Sequence, residues 1–292
     1  MKKHAFAPIL FSAFLLLFSA CSKEKDALAE GPNGPGSGFA QEPTSTPLSA
    51  TIKEASGLAD SRTAPGNLWV AEDSGNPPQL HLLNYKGQAT GKIYLKGATN
   101  RDWEDIALAG NTLYVADIGD NNSSKSNYTI YELPEPVLGT DTVREFNRIR
   151  FRYPDGPRDA EAVLVDPQTH TIYLLTKRDN PSRIYKLTPP FNYQAIDTAT
   201  FVQELPFSGV VSAALSPNGS EAILKTYTGL YYYKQQAPTS VDALFRQEPK
   251  ELAYQIEPQG EAVAFARDNS GFFTLSEKGL SDAVNLYFYK RK

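Results

Sequence analysis

Apolar and polar residues alternate in short runs after residue 50, and the runs recur five times in the same order. The first run of each copy pairs an oxygen-bearing residue with small apolar ones. These are Glu54-Ala55-Ser56-Gly57-Leu58, Asp102-Trp103-Glu104-Asp105-Ile106, Asp159-Ala160-Glu161-Ala162-Val163, Val211-Ser212-Ala213-Ala214-Leu215 and Gly260-Glu261-Ala262-Val263-Ala264. A second apolar run follows at Asn67 to Ala71, Thr112 to Ala116, Thr171 to Leu175, Glu221 to Leu224 and Gly271 to Leu275. Between them stand turn formers such as Asp166-Pro167-Gln168, Ser216-Pro217-Asn218-Gly219 and Asp268-Asn269-Ser270-Gly271. Brief runs with a period of two, joined by tight turns, predict antiparallel strands in hairpins.

An aromatic-rich third strand is expected at Leu80 to Tyr85, Tyr128 to Leu133, Arg183 to Leu187, Leu230 to Tyr233 and Asn285 to Tyr289. A fourth follows in four copies, at Gly91 to Leu95, Arg148 to Tyr153, Thr200 to Leu205 and Glu251 to Ile256. Copies of about 48 to 57 residues with four strands each predict an all-β fold, a five-bladed β-propeller. The fifth copy ends after its third strand, and the segment Pro47 to Lys53 has no other partner. The N-terminal strand is therefore expected to close the last blade, removing an edge that would otherwise recruit foreign strands. Recurrence of Trp69, Tyr114, Tyr173 and Phe272 at equivalent positions fits packing between blades, since each blade must bury both faces.

The ends read differently. Residues 1–20 carry Lys2 and Lys3, an apolar run from Phe6 to Phe18, and Ser19-Ala20 before Cys21. This is the pattern of a cleaved signal peptide, too short to span a bilayer comfortably. Cys21 is the sole cysteine, which excludes a disulfide framework. Leu17-Phe18-Ser19-Ala20-Cys21 resembles the bacterial lipobox, with Phe18 where leucine is usual. That resemblance implies a lipidated Cys21, attachment to a membrane through the lipid, and a place in the cell envelope, with the outer membrane expected. Residues 21–45, rich in Gly, Pro and Ser, read as a flexible tether, and 46–292 as one propeller domain.

Without Lys2 and Lys3 the formal charge moves from −4 to −6, and no basic run interleaves with aromatics. Nucleic acid is not an expected partner, and a monomer is expected. Outside the signal the histidines are His81 and His170, on a third strand and in a hairpin turn, so a histidine-dependent triad is not expected.

In a propeller the starts of the innermost strands and the ends of the second strands converge on one tunnel mouth. One position per blade then gives Ser56, Glu104, Glu161, Ser212 and Glu261. Carboxylates at such separations repel by a few kcal/mol per pair. A bound cation offsets that, and oxygen-only donors suit Ca²⁺ better than zinc. The alternative is that the glutamates bond to backbone amides or to Arg101 and Arg158. The Ser, Glu, Glu, Ser, Glu order is similar to the axial calcium site of the calcium-activated nucleotidases, the apyrase family of five-bladed propellers. The resemblance covers blade count and inner-strand motifs; that family's nucleotide-contacting segments find no match.

Second-strand ends place Asp117, Lys177, Arg178, Lys225 and Lys278 near the same mouth, where they are candidates to hold an anionic substrate. Asp102, Glu72 and Asp117 are the candidate bases. Two function classes follow: a calcium-dependent hydrolase of phosphate or ester bonds, or a non-catalytic module binding a glycan, peptide or partner protein.

Overall fold

The fold is that of a computed structural model describing residues 38–236, 240–281 and 283–292. The apolar run before Cys21, Cys21 itself and most of the Gly/Pro-rich stretch lie outside the described residues. Among the described residues no helix is long and apolar enough to cross a membrane.

Five small sheets form five blades. The chain enters through β1 (Thr44–Pro47). Blade 1 holds β2 (Ala55–Asp60), β3 (Asn67–Glu72), β4 (Gln79–Asn84) and β5 (Ala89–Leu95). Blade 2 holds β6 (Trp103–Ala109), β7 (Thr112–Asp117) and β8 (Tyr128–Pro134); after a short β9 (Thr142–Val143) comes its outer strand β10 (Asn147–Arg152). Blade 3 holds β11 (Ala160–Val165), β12 (Ile172–Thr176) and β13 (Arg183–Leu187), then, past β14 (Ile196–Thr198), β15 (Thr200–Glu204). Blade 4 holds β16 (Val210–Leu215), β17 (Glu221–Thr226) and β18 (Leu230–Lys234); a one-turn helix α1 (Val241–Leu244) leads to β19 (Lys250–Leu252). Blade 5 holds β20 (Gln259–Phe265), β21 (Gly271–Glu277) and β22 (Asn285–Lys290).

The innermost strands form a closed ring: β2 packs on β6, β6 on β11, β11 on β16, β16 on β20, and β20 back on β2. The approach is close enough at one point that a Cβ on Gly57 would fall 2.7 Å from the Ile106 amide nitrogen. Glycine is required there by space.

Alternation along each strand decides which neighbour it faces. Leu68 and Val70 of β3 pack toward blade 5 with Phe273 and Leu286, while Trp69 and Ala71 pack toward blade 2 with Leu113 and Tyr131. The core is therefore five separate apolar wedges, one per blade junction, and the aromatic residues fill them as expected.

Closure occurs slightly earlier in the chain than the strand pattern suggests. β1, not the segment Pro47 to Lys53, pairs antiparallel with β22, with Thr44 opposite Phe288 and Pro47 opposite Asn285. The contact reaches back beyond residue 46: Phe39 bridges to Arg291, is 1% exposed, and stands edge-on to Phe272 at 5.0 Å and to Tyr232 at 5.4 Å. The third-to-fourth strand connections also reach backward. β9 adds in parallel to β5 and β14 to β10, and Asp242 of α1 accepts hydrogen bonds from Tyr173 and Lys186 of blade 3.

Candidate metal centre at the tunnel mouth

The ends of the second strands lie opposite the starts of the inner strands: Glu72 faces Ala55, Asp117 faces Trp103, Thr176 faces Ala160, Thr226 faces Val210 and Glu277 faces Gln259. In every blade the register then slips by a β-bulge. A bulge places an unpaired residue on one strand and re-aims its side chain. The bulged positions are Ser56, Glu104, Glu161, Val211 and, with Gly260, Glu261.

This corrects one member of the expected ring. Ser212 pairs with Lys225 one step deeper, and the buried Val211 occupies the ring position. The Ser212 hydroxyl instead accepts a hydrogen bond from the Val263 amide at 3.2 Å. It shares its layer with Asp105, whose carboxylate accepts from the amides of Ile106 (2.9 Å), Val163 (3.1 Å) and Ala213 (3.4 Å). That layer ties blades 2, 3, 4 and 5 together. A cavity of about 80 Å³ lies among the far ends of the inner strands, lined by apolar residues such as Ala107, Ala214 and Ala264 and by Asp60, Arg62 and Arg267. Ser56 does sit at the ring position, but its hydroxyl donates to the Trp103 carbonyl at 2.8 Å.

The three glutamates remain, and further carboxylates join them. Ligand oxygens of Glu104, Asp159 and Glu161 lie within 4.8 Å of one another, as do those of Asp73, Asp102 and Glu104. Ionised pairs at that spacing repel by roughly 3 kcal/mol at an effective dielectric near 20. Asp102 and Asp159 each stand two residues before a ring glutamate, a spacing that puts both carboxylates on one face of an extended chain. Arg101-Asp102-Trp103-Glu104 and Arg158-Asp159-Ala160-Glu161 share an Arg-Asp-x-Glu pattern, which is the sequence signal for these two aspartates. Asp73 and Glu277 come from second-strand ends and carry no such pattern.

Glu104 is 6% exposed and receives no hydrogen bond among the described residues. Burial first, then the charges of Glu161, Asp73, Asp102 and Glu261, push its carboxyl well above the usual range. Gly119 leaves room for it: a Cβ there would fall 2.0 Å from Glu104 Oε1 and 2.8 Å from Asp102 Oδ2. Burial pushes Glu161 up to about 8 against the pull of Lys177, whose ammonium is 2.6 Å from Oε1. Its other oxygen, Oε2, is buried with no partner among the described residues. Burial and the charge of Glu261 push Glu277 to about 9. Asp73 is raised to about 6 by burial, which the Ser74 amide only partly offsets, with the charges of Asp102 and Glu261 adding to it.

The expected arginine partners do not serve the glutamates. Arg101 pairs with Asp117 at 2.9 Å, and Arg158 with Asp155 and Asp179 at 2.7 Å each. Lys177 spans Glu161 and Glu261, and donates to Tyr227, whose hydroxyl in turn donates to Glu261. Tyr227 and Lys125, which reaches Asp102 Oδ2 at 3.0 Å, were not singled out by the sequence pattern.

Two of the substrate-holding candidates are spent internally. Lys225 is fully buried against Glu257, with the Ala262 carbonyl at 3.2 Å, and burial lowers its ammonium pKa despite the glutamate. Asp117 is sealed, one oxygen on Arg101 and the other on the Asp102 amide at 3.0 Å. Arg178 stays half exposed while its Nε holds Asp159 at 2.6 Å, and Lys278 is half-buried with no side-chain hydrogen bond or ion pair among the described residues. Glu72 is bound to His81 Nε2 at 2.8 Å and to the Lys53 amide at 2.9 Å, which removes it as a free base. His170 Nδ1 meets the Tyr114 hydroxyl at 2.9 Å, away from the acidic mouth.

Fold and mouth together define a five-bladed β-propeller with an acidic axial mouth lined by oxygen donors. No protein-family model and no curated protein sequence matches the chain.

Proposed function

We propose that this chain is a lipid-anchored envelope protein whose propeller holds Ca²⁺ at the acidic mouth and uses it to bind an anionic ligand. The observation that carries the reading is Glu104, buried and without a hydrogen bond, within 4.8 Å of further carboxylate oxygens. A group so placed is neutralised either by a proton or by a cation, and the further carboxylates crowded around it favour the cation. Glu104 and Glu161 fit as the ligands, with Asp159 beside them held by the Asp120 amide and Arg178; all donors are oxygens, which suits a hard cation of flexible coordination. A bound cation supplies an electrophilic centre for a phosphate, carboxylate or acidic glycan, with Lys278 and Arg178 the accessible cations beside it. Because the candidate bases Glu72 and Asp117 are taken up inside the fold, binding is favoured over hydrolysis.

The test is calorimetric titration of the full chain with Ca²⁺, together with melting in calcium and in chelator. Binding with a rise in Tm, lost in Glu104→Gln, is the expected result. No heat of binding and a melting temperature indifferent to chelator would make the mouth a purely internal network. A panel of nucleotides, phosphate esters and lactones decides the chemistry: calcium-dependent turnover would replace the binding reading with the hydrolase. Incorporation of labelled palmitate that disappears in Cys21→Ser is expected for the anchor.

A further inference from the structure

We infer that the mouth binds a second divalent cation, on the Asp73, Asp102 and Glu104 side, with Glu104 shared between the two ions and Lys125 as the resident positive charge that the second ion replaces. The inference rests on the calcium reading above. The carboxylates fall into two groups of three, Glu104 with Asp159 and Glu161, and Glu104 with Asp73 and Asp102, each with its ligand oxygens within 4.8 Å. They have Glu104 in common, and Glu104 is the 6% exposed carboxylate that no donor satisfies. Apart from Glu104 the groups draw on different parts of the chain, one on Asp159 and Glu161 of blade 3 and the other on Asp102 and the loop after β3. Gly119 shows that Glu104 and Asp102 address one space, since a single Cβ at that residue would collide with both carboxylates.

Lys125 partly offsets the negative charge of the second position without an ion. Its ammonium, on the loop after β7, lies 3.0 Å from Asp102 Oδ2 and also donates to the Gly119 carbonyl. The side chain is 24% exposed, so it can withdraw to water. A monovalent ammonium on a flexible stem is a weak competitor for three hard oxygen donors against a divalent ion. The first position is flanked by a guanidinium, Arg178 on Asp159, and the second by an ammonium, Lys125 on Asp102. The two positions should therefore fill with different affinities.

Calorimetry of the full chain with Ca²⁺ is expected to give two sites. Asp73→Asn, a change at a partly exposed position, should leave one site whose affinity stays within about threefold of wild type. Lys125→Gln should keep two sites and strengthen the weaker by about tenfold, because it removes a like charge from the ion's position. With Mn²⁺ in place of Ca²⁺, the resonance spectrum of wild type should show a spin-coupled pair and that of Asp73→Asn an isolated ion. One site unchanged by Asp73→Asn, a weaker site indifferent to Lys125→Gln, or an isolated-ion spectrum at saturation overturns the inference while leaving the single-ion reading in place. Absence of any binding removes both.

Discussion

At the scale of single residues the mouth is governed by protons as much as by contacts. Glu161 and Glu277 are held near 8 and 9, against the ordinary 4.5 of a free glutamate. A carboxyl whose pKa is higher folded than unfolded takes up a proton on folding, so its stabilising contribution is complete below about 4.5 and fades as pH rises through 8 to 9. In chelator the melting temperature should fall between pH 5 and 9.5, and Glu161→Gln with Glu277→Gln should flatten that slope. If the mouth holds Ca²⁺ as proposed, the trend should reverse in excess Ca²⁺, since a cation competes with protons for the carboxylates. Melting curves across that range in both buffers check the sign. The glutamates themselves were legible from one position per repeat. Ser212 was not, because the slip that separates it from Val211 is a property of backbone register, which residue type does not encode.

Strands and connections were more legible than side-chain partners, because period-two runs and turn residues report local geometry directly. The fourth strand of blade 4 is the exception: it shrinks to Lys250–Leu252, since α1 takes up the outer edge there and docks on blade 3. The closing strand came earlier than expected for a related reason. Thr44 to Pro47 has no apolar alternation to announce it, and its role depends on pairing with β22, 238 to 244 residues away in sequence, Thr46 facing Leu286 and Ser45 facing Tyr287. Phe39 extends that closure by filling the wedge between blades 4 and 5, with the Arg291 guanidinium 4.6 Å above its ring. Phe39→Ala should destabilise the fold by about 3–5 kcal/mol, the usual cost of emptying a well-packed aromatic site. Denaturant unfolding of the two proteins measures it, and a difference under about 1 kcal/mol would mean that β1 alone secures the ring.

At the scale of the molecule, five wedges without a common centre leave the axis free for polar groups. The Asp105 layer and the glutamate mouth can sit along it without interrupting a hydrophobic core. This also explains why blade count could be read from sequence while the mouth's wiring could not. Count follows from repetition, but the partners of Lys225, Asp117 and Glu72 are chosen by neighbours from other blades or distant turns.

The seam in blade 5 has one more consequence. Lys292 donates its amide to the Gly38 carbonyl at 2.9 Å, and Ala40 to the Lys290 carbonyl at 2.8 Å, so the two ends of the ring lie side by side. Where the polypeptide is cut is then a matter of convenience to the architecture, not a condition of it. A circular permutant that joins residues 292 and 38 through a short Gly/Ser linker and opens the exposed loop between Leu138 and Gly139 should keep its β-rich circular dichroism and its calcium response. Blade 2 would then become the seam, and blade 5 a blade like any other.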